Sequence, residues 1–189
     1  AVLWMKTTVW PLIRQQLPDA QLHIYGAYTP PKATALHNPA QGFHVLNWAE
    51  DALAVMRQAR VCLAPLRFGA GIKGKIADAM LCGTPNVTTP VGAEGMHGDL
   101  PWAGAIATSA SALAAAAVEL YRNEAAWLQA QTHGRALLAE RYQQRVHGPA
   151  LVQRIEACRA DLERHRRQNF TGAMLRHHHH KSTQYMAQW

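Results

Sequence analysis

The chain of 189 residues is 49% hydrophobic, 16% charged and carries a formal net charge of +7 at pH 7. This length and composition suit a domain with a proper apolar core and exclude an intrinsically disordered or fibrous protein. Polar and charged residues interrupt every apolar run before the roughly 18 residues of a membrane-spanning helix, and the positive charge favours an anionic partner.

An amphipathic helix opens the chain, and short strands then alternate with helices. Apolar residues at helical spacing predict a helix over Leu3 to Leu17 that Pro11 should kink or restart. The elements that follow are a strand at 21–26, a loop at 27–41, a strand at 42–46, a helix at 51–58, a strand at 61–64, a glycine-rich turn with a helix behind it, a strand at 86–89, a loop at 90–95 and a strand at 105–107.

Three helices end the chain. Ser109 or Ser111 can cap the first, and the others are predicted at 124–141 and 146–167. Because short apolar strands alternate with helices, the fold class is α/β: a Rossmann-like, doubly wound parallel sheet flanked by helices. The domain division is a Rossmann-like unit over 1–145 and a C-terminal helix with a basic and aromatic tail over 146–189.

Three cysteines, Cys62, Cys82 and Cys158, lie far apart without metal-ligand spacing. This sparse, odd set argues against a disulfide framework or a zinc site and is compatible with a reducing compartment. Cys62 falls in a strand pattern and Cys158 in a helical pattern, so both are predicted to be core thiols.

The most informative segment is the strand, glycine-rich turn and helix over residues 63–85. Glycines let a backbone approach a ligand closely, and the N–H groups at a helix N-terminus favour an anion. Lys73 and Lys75 supply matching charge. The alternative interpretation is a tight turn with two solvated lysines. Three loops, 47–48, 68–73 and 88–94, leave strands at the carboxyl edge, where parallel sheets bind their ligands, and this favours a binding site.

The residues of this segment resemble a known family. Pro65-Leu66-Arg67-Phe68-Gly69-Ala70-Gly71-Ile72-Lys73-Gly74-Lys75, then Asp78-Ala79-Met80, Gly83-Thr84-Pro85 and the run from Thr88 to Met96 look like the C-terminal domain of bacterial group 1 glycosyltransferases, which are retaining enzymes of the GT-B type. The resemblance also takes in 9–13 and 22–26, and it spans roughly residues 1–125.

The resemblance implies a site for a nucleotide-diphosphate sugar, with no metal and no cofactor. The residues that it assigns to the donor are Gly69, Ala70, Gly71, Ile72, Lys73, Lys75, Asp78, Trp48 and Thr88. In the family, a glutamate at the position of Asp78 holds the donor ribose, and a further glutamate stands where this chain has Ala70. The resemblance names no catalytic residue here, and the sequence does not distinguish UDP from GDP.

Three of these residues keep a second interpretation. Asp78 can be an exposed helix acid that interacts favourably with the helix dipole. Lys75 can be a solvated helix residue. Trp48 can be a core lid, covering apolar residues, rather than a platform for the base. Lys73 and the turn backbone therefore carry most of the expected binding.

The resemblance also implies partners. A separate N-terminal domain would hold the acceptor, and the family's first strand of this domain is expected to be missing from these residues, so the isolated chain should bind donor without transferring sugar. The expected setting is bacterial surface-polysaccharide synthesis in the cytoplasm, at the inner face of the membrane, with peripheral membrane association of the full enzyme. The alternative is a non-catalytic nucleotide- or anion-binding Rossmann module.

The C-terminal forty residues hold much of the basic excess. Without interleaved aromatic residues or a DNA-reading helix pair, nucleic acid is not the expected partner. The tetrad His177–His180 is interpreted as native sequence, with a tag remnant as the alternative, and Tyr185, Met186 and Trp189 are expected to pack on the N-terminal domain.

Overall fold

Five short parallel strands form the framework of the computed structural model, which describes residues 1–176 and Met186. The strands are β1 (Leu22–Tyr25), β2 (Phe43–Asn47), β3 (Cys62–Ala64), β4 (Asn86–Thr88) and β5 (Gly104–Ile106). All five predicted strands are present and every pairing is parallel. The predicted α/β class is therefore confirmed.

The strands form two sheets rather than one. β1 pairs with β2, and β4 lies between β3 and β5 in the second sheet. The register aligns Leu22 with Phe43 in the first sheet and Leu63 with Val87 in the second. Among the described residues, no strand joins the two sheets.

The N-terminal helical segment differs from the prediction in its geometry. It runs as α1 (Val2–Trp4), a π-helical turn (Met5–Val9) and α2 (Trp10–Gln16). Pro11 lies in the first turn of α2, where a missing N–H costs little. The irregularity is instead the π turn before it, closed by a hydrogen bond from the Trp10 N–H to the Met5 oxygen.

Two predicted loops contain short helices. The segment 27–41 includes α3 (Pro31–Thr34) and a 3₁₀ turn (Pro39–Gln41), and the segment 90–95 begins with α6 (Pro90–Ala93). In each case a proline occupies the first turn, because its restricted φ suits that position. Proline marked these segments as loops in the sequence, whereas in the structure it starts a turn of helix.

The longer helices lie where the sequence places them. They are α4 (Ala52–Gln58), α5 (Gly74–Leu81), α7 (Ala110–Arg122) and α8 (Glu124–Arg141). Ser109, rather than Ser111, caps α7, accepting a hydrogen bond from the Ala112 N–H at 3.1 Å. The Asp51 carboxylate caps α4 in the same way, from the Ala54 N–H at 2.9 Å.

Two apolar clusters hold the unit Ala1–Tyr142 together. The larger cluster joins the N-terminal helical segment to strands of both sheets and to α7, with Val9, Phe43, Val87 and Leu113 fully buried. The smaller cluster joins α5, α6 and α8 beneath the loops that follow β3 and β4. This second cluster positions the glycine-rich turn.

The second unit, Gln143–Trp189, contains α9 (Gln144–Ala160) and α10 (Leu162–Gln168). The predicted single helix over 146–167 is wrong, because Asp161 leaves helical geometry (φ −134°, ψ 60°) and its carboxylate caps the new helix at the Arg164 N–H. The prediction of a core thiol at Cys158 is also wrong, because this side chain is exposed. His177–His180, Tyr185 and Trp189 lie outside the described residues.

Candidate functional site

Three loops leave the carboxyl ends of β3, β4 and β5 in the three-stranded sheet. Residues 65–73 connect β3 to α5, Thr89 connects β4 to α6, and residues 107–109 connect β5 to α7. In a parallel sheet all such loops lie at one edge. The glycine-rich turn therefore shares this edge with the segment 88–94, as the sequence indicates.

The backbone of the glycine-rich turn is open on its outer side. Gly71 has a φ of +66°, a conformation that favours glycine, and a Cβ built there meets no atom within 4 Å. A Cβ built at Gly74, the first residue of α5, also meets nothing within 4 Å. Packing within the chain therefore does not require glycine at 74, and the space beside both residues can admit a ligand. Gly69, Ala70 and Ile72 complete this exposed turn.

Lys73 is the buried cation of the site. Its residue is only 7% exposed, and its ammonium nitrogen donates to the main-chain oxygen of Glu94 at 3.5 Å. Lys73 is also the N-cap residue of α5, and its carbonyl accepts from the N–H groups of Ile76 (2.9 Å) and Ala77 (3.2 Å). The N–H groups of Gly74 and Lys75 precede the first intrahelical bond and point out of the helix end. One cation and two N–H donors thus belong to the same end of α5.

Lys75 lies on the exposed side of α5. Its charge acts on the Cys62 thiol in β3 and favours the thiolate, but burial has the larger effect and raises the pKa of Cys62 to about 11. The structure therefore places Lys75 near β3, two residues after Lys73 along the chain. Its solvated position is compatible with either interpretation of this lysine.

Asp78 and Ala70 are both exposed. The Asp78 carboxylate makes no hydrogen bond or ion pair with another residue in the described part of the chain. The opposite face of α5 packs into the core through its buried residues Ile76, Ala79 and Met80. Asp78 is therefore available to a ligand, whereas Ala70 has no polar side-chain atom to offer.

Thr88 has a structural contact. Its side chain is fully buried, and its hydroxyl donates to the Ala64 oxygen at 2.7 Å, tying the end of β4 to the end of β3. The adjacent Thr89 hydroxyl donates to the Leu66 oxygen and accepts from the Gly92 N–H at 3.3 Å. Together the two threonines hold the loops of the site in place.

Trp48 follows β2 in the other sheet and is 68% exposed. This exposure contradicts the alternative in which Trp48 is a core lid. Its indole is free to stack on a planar ligand.

A cavity lies beside the segment 88–94, whose Glu94 oxygen accepts the hydrogen bond from Lys73. It has a volume of about 340 Å³ and is lined by Pro90, Ala93, Glu94, Gly95, His97, Gly98, Ile106 and Arg141. Arg141, at the end of α8, reaches it by donating from Nε to the Met96 oxygen at 3.0 Å. No local pattern could find this contact, because it joins residues 45 positions apart.

Two further features of the described residues concern metals and membranes. No cluster of three or more His, Cys, Asp or Glu side chains there could hold a metal ion. Within the same residues, no helix is both long and apolar enough to cross a bilayer.

Solved structures with this fold include glycosyltransferases. A point mutant of S. aureus TarM, in complex with fondaparinux, α-GlcNAc-glycerol and UDP, superposes with a TM-score of 0.66 at 12% identity, over 77% of this chain and 31% of TarM. WaaG, a glycosyltransferase involved in lipopolysaccharide biosynthesis, gives a TM-score of 0.56 at 18% identity, over 70% of this chain and 38% of WaaG. The chain thus spans about a third of the length of these structures.

At these identities the structural matches establish the GT-B Rossmann-like fold alone. No curated protein matches the sequence. The family model "Glycosyl transferases group 1" matches residues 1–123, which is more than half of the chain. The chain therefore belongs to the group 1 glycosyltransferases.

Proposed function

We propose that this chain is the donor-binding, C-terminal part of a bacterial glycosyltransferase that transfers a sugar from a nucleotide diphosphate. The observation that carries the proposal is the buried Lys73 at the N-terminal end of α5, where two N–H groups precede the first intrahelical bond and the glycine turn is open. The diphosphate leaving group gains negative charge as the glycosidic bond to it breaks. Fixed donors at that position lower the barrier, because they stabilise this charge more in the transition state than in the ground state.

The other site residues take roles around the diphosphate. The exposed Asp78 carboxylate is suited to accept hydrogen bonds from ribose hydroxyls, and the exposed Trp48 indole to stack on the base. Lys75 adds long-range positive charge. Thr88 contributes by holding the ends of β3 and β4 together, through its bond to Ala64.

We further propose that these residues are only one part of the enzyme. A separate N-terminal domain would hold the acceptor, for which a bacterial surface polysaccharide is the expected class, and the 189-residue chain would bind donor without transferring sugar. The full enzyme would work in the cytoplasm at the inner membrane face. Nucleic acid is not the proposed partner, and neither a metal nor a cofactor is assigned to the site.

A titration tests the proposal directly. We expect UDP, chosen because TarM was solved with it, or GDP to bind the chain by isothermal titration calorimetry. Replacing Lys73 by Ala should weaken that binding by about tenfold to a hundredfold, as expected for a hydrogen bond to a charged group. The matched variant Lys75→Ala should lose much less, because its side chain is solvated. Absence of binding by UDP, GDP and their sugars would refute the donor site.

A second function remains supported by one residue. Ala70 stands where the resemblance implies a glutamate, so the chain can be a nucleotide-binding module that does not catalyse transfer. The variant Ala70→Glu, which supplies this carboxylate, distinguishes the two functions. A transferase donor site should gain affinity for a nucleotide sugar over the free nucleotide, whereas a non-catalytic module should bind both equally.

A further inference from the structure

The cavity of about 340 Å³ that lies beside α6, β5 and the end of α8 has no part in the donor binding proposed above. Side chains of both charge signs line it, because Glu94 brings a carboxylate and Arg141 a guanidinium. We propose that this cavity binds an uncharged polyhydroxyl ligand, namely one pyranose unit of a saccharide, in addition to the nucleotide at Lys73.

The wall of the cavity is held in place by the end of α8. The main-chain oxygen of Met96 accepts two hydrogen bonds, from Arg141 Nε at 3.0 Å and from the Tyr142 hydroxyl at 2.9 Å. The Met96 N–H donates to the Ala93 oxygen at 3.0 Å, and its side chain is fully buried. A ligand therefore does not have to order this loop when it binds, which removes one of the usual costs of association.

The guanidinium of Arg141 is fixed with its outer nitrogens available. A Cβ built at Gly98 would lie 2.7 Å from Arg141 Nη1, so the guanidinium lies against this glycine, which also lines the cavity. Within the described residues, neither Nη nitrogen makes a hydrogen bond or an ion pair. At Gly95, where φ is +72°, a Cβ meets nothing within 4 Å, and the backbone is open there as well. The cavity thus offers several N–H donors on one rigid group.

His97 and Glu94 supply acceptors. His97 Nδ1 lies 2.8 Å from the Leu100 oxygen, and since a carbonyl only accepts, Nδ1 carries the hydrogen. The ring also packs against Trp102, with 5.3 Å between the ring centroids, which fixes its orientation. Nε2 of the neutral imidazole is then an acceptor. The Glu94 carboxylate is exposed and forms no ion pair in the described part of the chain.

The mixture of charges decides the class of ligand. The carboxylate of Glu94 repels an anion, and the guanidinium of Arg141 repels a cation. Both side chains are exposed, so water and salt screen their attraction to the two ends of a zwitterion. A ligand must therefore gain its affinity from several hydrogen bonds and from apolar contact.

A pyranose ring meets both requirements. Each of its hydroxyls donates and accepts, so one ring can serve the carboxylate, the imidazole and the guanidinium. Its C–H groups can pack on the apolar part of the wall, which is formed by Pro90, Ala93 and Ile106. A volume of about 340 Å³ is at the lower end of the range of small-molecule sites, which suits a ligand of one ring.

An NMR titration of the 189-residue chain tests the proposal. The probes are the methyl pyranosides of glucose, galactose, mannose and N-acetylglucosamine, with inorganic phosphate and L-alanine as the charged comparators. At least one pyranoside should shift the amides of Gly95, His97, Gly98 and Ile106, with a dissociation constant on the order of 1 mM. Phosphate and L-alanine should leave these amides unchanged.

Two variants identify the groups that bind. Glu94→Gln keeps the main-chain contact to Lys73 and removes the charge, and it should weaken the pyranoside by about threefold to tenfold. Arg141→Lys keeps the charge and loses the planar fork, and it should weaken the pyranoside by a similar factor. The exposed neighbours Asp99→Asn and Arg135→Lys are the matched controls and should bind as the unchanged protein does.

Three results would overturn the proposal. The first is the absence of amide shifts at the cavity with all four pyranosides up to about 50 mM. The second is phosphate binding that Glu94→Gln strengthens, which would identify an anion site. The third is binding of L-alanine at these amides. UDP binding is read from the amides of Gly71 and Gly74, so the saccharide site and the donor site succeed or fail separately.

Discussion

The ammonium nitrogen of Lys73 lies 3.5 Å from the main-chain oxygen of Glu94, and this contact joins the loops after β3 and β4. The acceptor is a carbonyl rather than a carboxylate, so the positive charge is held in place without being neutralised. No carboxylate of the described residues forms an ion pair with it. A buried cation of this kind is costly for the empty protein and suited to an anionic ligand.

Replacing Lys73 by Met should separate stability from binding. Because Met keeps the apolar stem and removes a charge held by one long hydrogen bond, we expect the free energy of unfolding in urea to stay within about 1 kcal/mol or to rise. Affinity for UDP should fall by about tenfold or more. A loss of stability above about 2 kcal/mol would instead identify Lys73 as a structural residue.

Two glycines of the site should respond to alanine in opposite ways. At Gly74 a Cβ meets nothing within 4 Å, so Gly74→Ala should stabilise the protein by about 0.5–1 kcal/mol through helix propensity and a less flexible unfolded chain. At Gly92 a Cβ would lie 1.9 Å from the buried Thr88 hydroxyl, and Gly92→Ala should cost about 2 kcal/mol or more. Thermal unfolding measures both.

The same Gly74 variant tests the position of the ligand. If the diphosphate approaches the first turn of α5 as proposed, the new methyl group occupies that space and UDP should bind about tenfold more weakly. Unchanged affinity in a stabilised Gly74→Ala protein would place the ligand elsewhere.

The Asp78 carboxylate should act on the ligand and hardly on the fold. Because it is exposed and has no partner among the described residues, Asp78→Asn should change stability by no more than about 0.5 kcal/mol. The Asp78→Asn variant should bind UDP more weakly than the unchanged protein does. Its affinity for 2′,3′-dideoxyuridine diphosphate, which lacks the ribose hydroxyls, should be unchanged. The Asp78→Glu variant, which keeps a carboxylate, should still prefer UDP to the dideoxy compound. The exposed Asp99→Asn variant is the matched control. Equal losses for both ligands would contradict ribose binding.

Acidic pH should lower the free energy of unfolding, because His44 in β2 has a lowered pKa in the folded protein. Burial, together with the nearby His23 and His37, lowers the pKa of His44 below its ordinary value of 6.5. The unfolded chain therefore takes up more protons than the folded chain below about pH 6.5, and stability should fall as the pH drops through that range.

An NMR titration of the imidazoles checks this directly. His44 should titrate below 6.5, and His44→Gln should flatten the pH dependence of urea unfolding. A His44 imidazole that titrates above its ordinary value would contradict the expectation.

Local sequence patterns were sufficient for most of the secondary structure. Short apolar runs identified all five strands, and Ser109 was correctly among the caps of α7, because these features depend on near neighbours. Proline was misleading at Pro31 and Pro90, since the residue that ends one element also fits the first turn of another.

By itself, the sequence determined the α/β class, the parallel strands and the position of the glycine-rich turn before α5. Only the tertiary structure decided that Lys73 is buried against Glu94, that Asp78 stays exposed, and that the five strands divide into two sheets. The physical reason is the separation along the sequence over which each kind of interaction acts. Propensity and periodicity act over a few residues, whereas burial, cavity walls and strand order arise from contacts between distant parts of the chain.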